Sequence, residues 1–573
     1  MSLERFGTLI PADILVIGGG FGGLYAAIKA KQAGARDVVI VDKGTVAISG
    51  MSRMAAGSTV FLHPEDDADA WRAAVFRGQH GLCNQDMVAD LLAGSTERLR
   101  ELESWGVVYR RDPQTGGYLR FPSRGLVPAM MTRRPTYEGL TGGAALTTVL
   151  RAVAIGHGVR FINKVFVSDL AVRDGRVLGA VGCHRRTGES FVFPARAVII
   201  AAADCGFRAA YAGVKAATGD SFALAWRAGC DLNNMEFIAC NTGPVDFGFE
   251  GTGPAARLGA RFMNAKGEAF MKRYHEDGDA AEITYLVQAM ADEVRAGNGP
   301  PFYLDFSGLD PAFAETNYMS MGGFMPLNLR RLREKGMQVL SAKVPWAPAI
   351  QTQRGGIMTD IRCMSNVQGL FAAGTAHSTG PGLFNGWSSA KCIWSGATAG
   401  SNAARFVDGT DTPELKPDDV APLTTILFDR RIGDDRGAVS VDGVFAPLQR
   451  SVIHYETSIL KSEASLKRAQ AVVADVRANL GSARVPDMHA FIKLKETENL
   501  CTAAELFLSA SLVREESRFD HKREDFPERD DQNWLKWIVL NRSLPAGYRV
   551  EDLPWDRYRL RPSDLGAALR IAA

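Results

Sequence analysis

The 573-residue chain has eight cysteines (83, 183, 205, 230, 240, 363, 392 and 501) but no CxxC pair. It therefore carries no ferredoxin-like cluster motif or zinc ribbon of its own, and no metal ligand set is expected in it. It also lacks any uninterrupted apolar run of about 18 residues, which excludes a direct membrane span by a helix. Charge of one sign is missing as well. The formal net charge is +2, and so balanced a chain argues neither for nucleic acid nor for a membrane surface as partner. The opening Met1-Ser-Leu-Glu-Arg-Phe-Gly enters an apolar strand within about a dozen residues, which leaves no room for a signal peptide. Scattered thiols in such a chain read as reduced cysteines of a cytoplasmic protein. At this length two or three domains are expected.

What is present is concentrated near the start. Ile14-Leu-Val-Ile17 reads as a buried parallel strand, and Gly18, Gly20 and Gly23 fill a GxGxxG pattern that opens a helix directly after it. Gly18 permits the tight turn, Gly20 lets backbone approach a pyrophosphate, and Gly23 brings helix and strand together, so the helix N-terminus faces phosphate charge. A second strand ends in Val41-Asp42-Lys43. Its acid lies roughly 20 residues past the last glycine, where a carboxylate takes ribose hydroxyls. A glycine-rich surface turn is the ordinary alternative, but strand, glycines, helix, strand and acid occur here in that order.

The segment 47–58 is a small-residue loop that lets backbone amides lie along a flat ligand, or simply packs under a domain. Residues 65–106 read as two amphipathic helices. The runs 158–170 and 176–182 read as alternating strands around the Arg173-Asp174-Gly175 turn, and 195–203 as a buried strand returning to the dinucleotide domain.

In order, these segments resemble the flavoprotein subunit of the succinate dehydrogenase and fumarate reductase family, which includes adenylylsulfate reductase and L-aspartate oxidase flavoproteins. The resemblance spans roughly residues 12–540. Its most specific piece is Glu516-Ser-Arg-Phe-Asp-His521-Lys-Arg-Glu-Asp-Phe-Pro527-Glu-Arg-Asp-Asp531-Gln-Asn-Trp534-Leu, which looks like the family's ESRGAHxRxDxPxRDDxxWL signature. Thr218-Gly-Asp-Ser221, Met235-Glu-Phe237, residues 261–271, Gly369-Leu-Phe-Ala-Ala-Gly374 and a helical stretch at 456–480 support it. A charge run as dense as 516–531 would otherwise be a solvated face.

The resemblance implies an α/β protein with a two-dinucleotide-binding-domain FAD (Rossmann-type) fold, an inserted α+β capping domain and a C-terminal helical domain. The implied limits are 1–233 and 356–428 for the FAD-binding domain, 234–355 for the cap, between a strand at Met235-Glu-Phe237 and the Arg354-Gly-Gly-Ile357 return, and 429–573 for the helical domain. By the same resemblance, Gly18, Gly20 and Gly23 meet the FAD pyrophosphate, Asp42, with Lys43 beside it, the adenosine ribose, and Val167 the adenine. Ser52 and Gly57 lie along the isoalloxazine, Asp220 near the ring or ribityl chain, and Gly374 and Ser388 near the ribityl chain and ring edge. Thr375 stands where many members have an acid that binds a ribityl hydroxyl.

The departures are as informative. Where membrane-bound members attach FAD through the histidine of SHTxAAxGG, this chain has Met51, so the expected FAD is non-covalent. The histidine of FHPTG falls at Asn241, the proton-donating arginine of SRD at Ile283, the histidine of HYxMGG at Gln351 or Thr352, and the carboxylate-binding arginine of NRLGGNSL at Leu383. Fumarate reduction needs buried cations for two carboxylates and an acid to deliver a proton. These substitutions remove both, so succinate, fumarate and aspartate are not the expected substrates.

Three residues in segments that frame the flavin in this family are the catalytic candidates: Arg354 as a cation, His377 as acid or base, and Trp387 as a stacking surface. Each has an ordinary structural alternative as a paired, packed or core side chain, as do Arg133, Arg134 and the thiol of Cys240. With no cluster motif in the chain, a ferredoxin-like iron–sulfur subunit is the expected electron partner. The expected function is thus an FAD-dependent oxidoreductase, the catalytic flavoprotein passing electrons between a small non-dicarboxylate substrate and that partner. The alternatives are the alpha-type flavoprotein of an adenylylsulfate reductase and a non-catalytic flavin electron-transfer subunit.

Overall fold

The structure is a computed structural model that describes residues 2–123, 126, 128–211, 213–245, 256, 259–309, 334, 336, 343–382, 384–411, 413–430, 432–433 and 439–566. Its central sheet grows from the strand Ala12–Ile17, whose Ile14, Leu15 and Val16 are fully buried. Such near-continuous apolar strands belong inside a parallel sheet covered on both faces. Ala12–Ile17 pairs in parallel with Val38–Asp42 on one side and with the second half of Ser190–Ile200 on the other; Arg160–Asn163 and Leu370–Ala372 extend the sheet. The first half of Ser190–Ile200 instead pairs antiparallel with Arg176–His184, which pairs with Val165–Arg173, so one long strand joins a parallel and an antiparallel sheet.

The helix Phe21–Gln32 leaves the glycine turn and packs against Trp387–Gly409. Small residues allow the close approach. A Cβ on Gly396 would lie 2.5 Å from the Gly22 carbonyl oxygen, and one on Gly400 would lie 2.1 Å from that of Ala26.

A separate antiparallel sheet of Ile238–Pro244, Lys343–Gln353, Phe302–Asp305 and Arg261–Met263 forms the cap with the helix Ile283–Arg295. Its own core includes Phe262, Phe270, Leu286, Met290, Phe302 and Trp346. The helices Val441–Val452, Glu463–Asn479 and Met488–Val513 follow. This is the two-dinucleotide-binding FAD fold with an inserted α+β cap and a C-terminal helical domain.

Three local readings differ from the sequence expectation. Met235-Glu-Phe237 is a turn, because Asn234 takes a left-handed backbone (φ 57°), and the strand starts at Ile238. The stretch 456–480 is not one helix: a π-helix at Tyr455–Ile459 and a short strand Leu460–Lys461 precede a helix that Ser462 caps. The helical C-terminal part also contributes strands. Lys536–Leu540 pairs with Leu232–Asn233, which pairs with Gly356–Ile357, so the base of the cap and the chain's last quarter share a sheet.

Candidate active site

A cavity of about 810 Å³ opens where Ala12–Ile17 and Val38–Asp42 end, the place where open α/β sheets bind ligands. Its wall there is backbone. Gly18 has φ 107°, and a Cβ on it would lie 2.3 Å from the Ala201 carbonyl oxygen. A Cβ on Gly20 would lie 2.8 Å from Ser52 Oγ, which itself accepts the Phe21 N–H at 3.0 Å. Gly23 does not line the cavity; a Cβ there would lie 1.9 Å from the Gly18 carbonyl oxygen, so it seats the helix on the turn.

Asp42 closes the second strand and accepts the N–H groups of Gly19 (2.7 Å) and Gly44 (2.6 Å), fixing both loops that border the cavity. Lys43 donates to Asp220 at 2.7 Å and to Glu496 at 2.9 Å. Burial disfavours its ammonium, but the two carboxylates outweigh burial and hold it protonated, well above the usual lysine range. Asp220 accepts further from Thr218 (3.0 Å) and from Asn499 (2.9 Å), and Arg208 pairs with Glu496. Glu496 lies on Met488–Val513, so the helical domain supplies one wall of the cavity, together with Gln449 and Lys493.

Of the residues expected at FAD, Gly18, Gly20, Asp42, Lys43, Ser52, Val167, Asp220 and Gly374 line this cavity; Gly23, Gly57 and Ser388 do not. Gly57 (φ 73°) instead lets backbone pass Gly142, whose carbonyl carbon would lie 2.7 Å from a Cβ at 57. The wall contacts of Glu496, Gln449 and Lys493 were not anticipated, since nothing around them in sequence marks a ligand. Bare backbone at a helix N-terminus, an acid at the next strand end and a cavity of about 810 Å³ fit a dinucleotide.

Thr375 also lines the cavity, and behind it Asp204 is buried. Burial pushes the Asp204 carboxyl up to about 6, drawn back by hydrogen bonding to Thr352 and Thr375 and by the Lys391 ammonium.

Beneath the cap the positions that carry dicarboxylate chemistry in the family hold neutral side chains. The Asn241 amide donates to Tyr211 Oη (3.0 Å) and to Gln351 Oε1 (3.3 Å), Ile283 packs against the cap core, and Thr352 donates to Asp204. Leu383 lies outside the described residues. Cys240 is buried, its thiol pushed up to about 12 by burial, so it holds no thiolate at neutral pH.

Of the three catalytic candidates none lines the large cavity. His377 is fully buried, with Nε2 2.7 Å from the Thr359 hydroxyl and its ring against Trp394; burial lowers it to about 3, so it stays neutral and has no proton to give as an imidazolium. Trp387 is fully buried behind the left-handed Gly386 (φ 80°) and opens a helix, a packing position rather than a stacking face. Arg354 is buried, paired with Asp520, and lies 4.6 Å over the Phe519 ring.

The dense charge run is not a solvated face. Glu516 accepts from Arg514 (2.9 Å) and from Arg518 (2.6 and 2.8 Å), Arg514 also donates to Glu236 (2.7 Å), and Arg518 reaches Asp531 (2.8 Å). The side chains of Glu236, Arg514, Glu516 and Arg518 are all 0% exposed. Buried charges survive only in such paired networks.

Residues 13–389 match the family model of the FAD binding domain, and 448–563 that of the fumarate reductase flavoprotein C-terminal region. The chain belongs to the succinate dehydrogenase and fumarate reductase family of flavoproteins, which are FAD-dependent oxidoreductases. It is 29% identical over 560 residues to a subunit of the fumarate reductase (CoM/CoB) of Methanothermobacter marburgensis, covering 94% of this chain and 98% of that one. Among solved structures, Escherichia coli quinol fumarate reductase FrdA superposes with a TM-score of 0.84 at 22% identity, covering 99% of each chain. Archaeoglobus fulgidus adenylylsulfate reductase superposes with a TM-score of 0.77 at 20% identity, over 96% of this chain and 97% of that one. At those identities the likeness concerns the fold.

Proposed function

We propose that this FAD-dependent oxidoreductase is the catalytic flavoprotein of a complex that passes electrons between a small substrate other than a dicarboxylate and a ferredoxin-like iron–sulfur subunit. The observation that carries the substrate reading is the neutral set beneath the cap: Asn241 and Gln351 bond each other at 3.3 Å, and Ile283 is apolar. Relatives named for fumarate carry that substrate in their names, but this chain's own side chains offer neither a free cation nor a proton donor at these positions.

FAD, when bound, supplies two-electron chemistry at its ring. Backbone at 18–22 would hold the pyrophosphate against the N-terminus of Phe21–Gln32, and Asp42 would take ribose hydroxyls. The Lys43 ammonium, fixed by Asp220 and Glu496, would orient the adenosine half. Met51 offers no ring nitrogen for a histidyl link, so FAD would be held without a covalent bond there. The iron–sulfur partner rests on the missing CxxC: among the described residues no group of three or more His, Cys, Asp or Glu is placed to hold a metal ion. Eight free, buried thiols support a cytoplasmic site, and among the described residues no helix is long and apolar enough to cross a membrane.

The test is an anaerobic titration of the flavin in the chain purified with its natural partners. Succinate is expected to leave the flavin oxidised, whereas one member of a panel of sulfite plus AMP and small unsaturated or heterocyclic acids bleaches it. Bleaching by succinate overturns the substrate reading. Bleaching by sulfite plus AMP assigns the adenylylsulfate reductase activity.

A further inference from the structure

Three departures from the family pattern, two adjacent in sequence and the third far upstream of them, meet at one point. The signature's Gly-Ala is Phe519-Asp520 here, and the Met before the paired glycines of HYxMGG is Arg354. Asp520 pairs with Arg354 Nε, with side chains only 5% and 3% exposed, and the guanidinium lies 4.6 Å over the Phe519 ring.

The backbone under this pair is strained. Phe519 takes φ 54°, a left-handed conformation natural to the family's glycine and costing a side-chain-bearing residue about 1–2 kcal/mol. Such outliers collect at functional sites, where the surroundings hold them in place. Phe519 is held by the Gln288 amide, which donates to its carbonyl at 3.1 Å, and by the His80 ring 4.9 Å away.

The pair also sits at the right address. Thr284 donates to Asp520 Oδ1 at 2.9 Å, and Thr284 follows Ile283, the position to which the resemblance assigns the proton-donating arginine. Lys461 Nζ donates to the Asp520 carbonyl at 3.2 Å from behind. A carboxylate is thus already seated between a guanidinium and a hydroxyl beneath the cap, the surroundings that a substrate carboxylate would seek.

We propose that Asp520 is a resident carboxylate that occupies Arg354 beneath the cap and so denies it to substrate carboxylates, making Asp520 the residue that sets specificity against dicarboxylates. This rests on the substrate reading above. On this reading the cation beneath the cap stands at position 354 and is filled by a carboxylate of the same chain. Burial holds the Asp520 carboxyl up at about 6, with Arg354 pulling it down, so above neutral pH the pair is ionic.

The experiment uses the FAD-loaded chain at pH 8, with acetate, formate and succinate as probes and two readouts, the flavin absorbance spectrum and the thermal midpoint. Wild type is expected to respond to none of them. Asp520→Ala opens the seat, and acetate or formate should then perturb the spectrum and raise the midpoint saturably, with a Kd on the order of 1–10 mM, a few kcal/mol of binding. Adding Arg354→Met to Asp520→Ala should abolish the response. Asp520→Ser, which keeps a hydroxyl for Thr284, serves if the alanine variant does not accumulate. A flavin-loaded Ala or Ser variant as silent as wild type overturns the proposal, as does a response that survives Arg354→Met. Bleaching of wild type by succinate overturns the substrate reading instead, so the two failures are told apart.

Discussion

At the ends of Ala12–Ile17 and Val38–Asp42 the cavity wall is mostly backbone, bared by Gly18 and Gly20, whereas beneath the cap the space is filled by side chains that bond one another. The first region is shaped by what a cofactor demands of any chain that binds it. The second departs from the family pattern, and its polar groups are already paired: Asn241 with Gln351, Thr352 with Asp204, Arg354 with Asp520. A framework shared with fumarate reductases therefore predicts the cofactor and not the substrate.

The largest effect is expected from the buried network that ties the base of the cap to the C-terminal part. Glu516→Ala leaves Arg514 and Arg518 buried without their shared carboxylate and should cost about 3–5 kcal/mol, read as a lower urea midpoint. Gly18→Val attacks the cradle alone. With φ 107° and a carbonyl oxygen 2.3 Å from its Cβ, the variant should purify without flavin, read as the absorbance ratio of flavin to protein.

Lys43→Met sharpens the same side without blocking it. Two carboxylates lose their shared ammonium, and FAD affinity, measured by titration of the apoprotein, should fall about 10- to 100-fold, equivalent to about 1.4–2.8 kcal/mol. The smallest effect is one of pH. His377 binds its proton only near pH 3 when folded but near 6.5 when unfolded, so its contribution is complete above about 6.5 and is lost as pH falls toward 3. His377→Gln should therefore lose less stability than wild type on acidification, by about 1–2 kcal/mol at pH 5, seen in urea midpoints taken at both pH values. His80, lowered to about 3 by burial and by Arg518, shifts wild type in the same sense.

The strand, glycines, helix and acid were legible because each is a local device whose residues are adjacent in sequence. Met235-Glu-Phe237 misread as strand because the turn depends on the backbone of Asn234, which no apolar pattern records. The wall formed by Glu496 was not legible at all, since its partner Lys43 lies 453 residues away and nothing around Glu496 in sequence marks a ligand. His377 and Trp387 stood in the right segments, but a sequence does not say which way a side chain faces, and both face inward. The charge run at 516–531 was legible through the family alone; its composition reads as surface, while its geometry is that of a core.

Because Glu496, Gln449 and Lys493 close one side of the cofactor room, that room is complete only when the helices Val441–Val452 and Met488–Val513 are docked. Flavin that binds only the closed room is thereby linked to the docking of those helices, and each stabilises the other. A protease added to the flavin-free chain should therefore cut first among the helices that carry Gln449, Lys493 and Glu496, and added FAD should protect them.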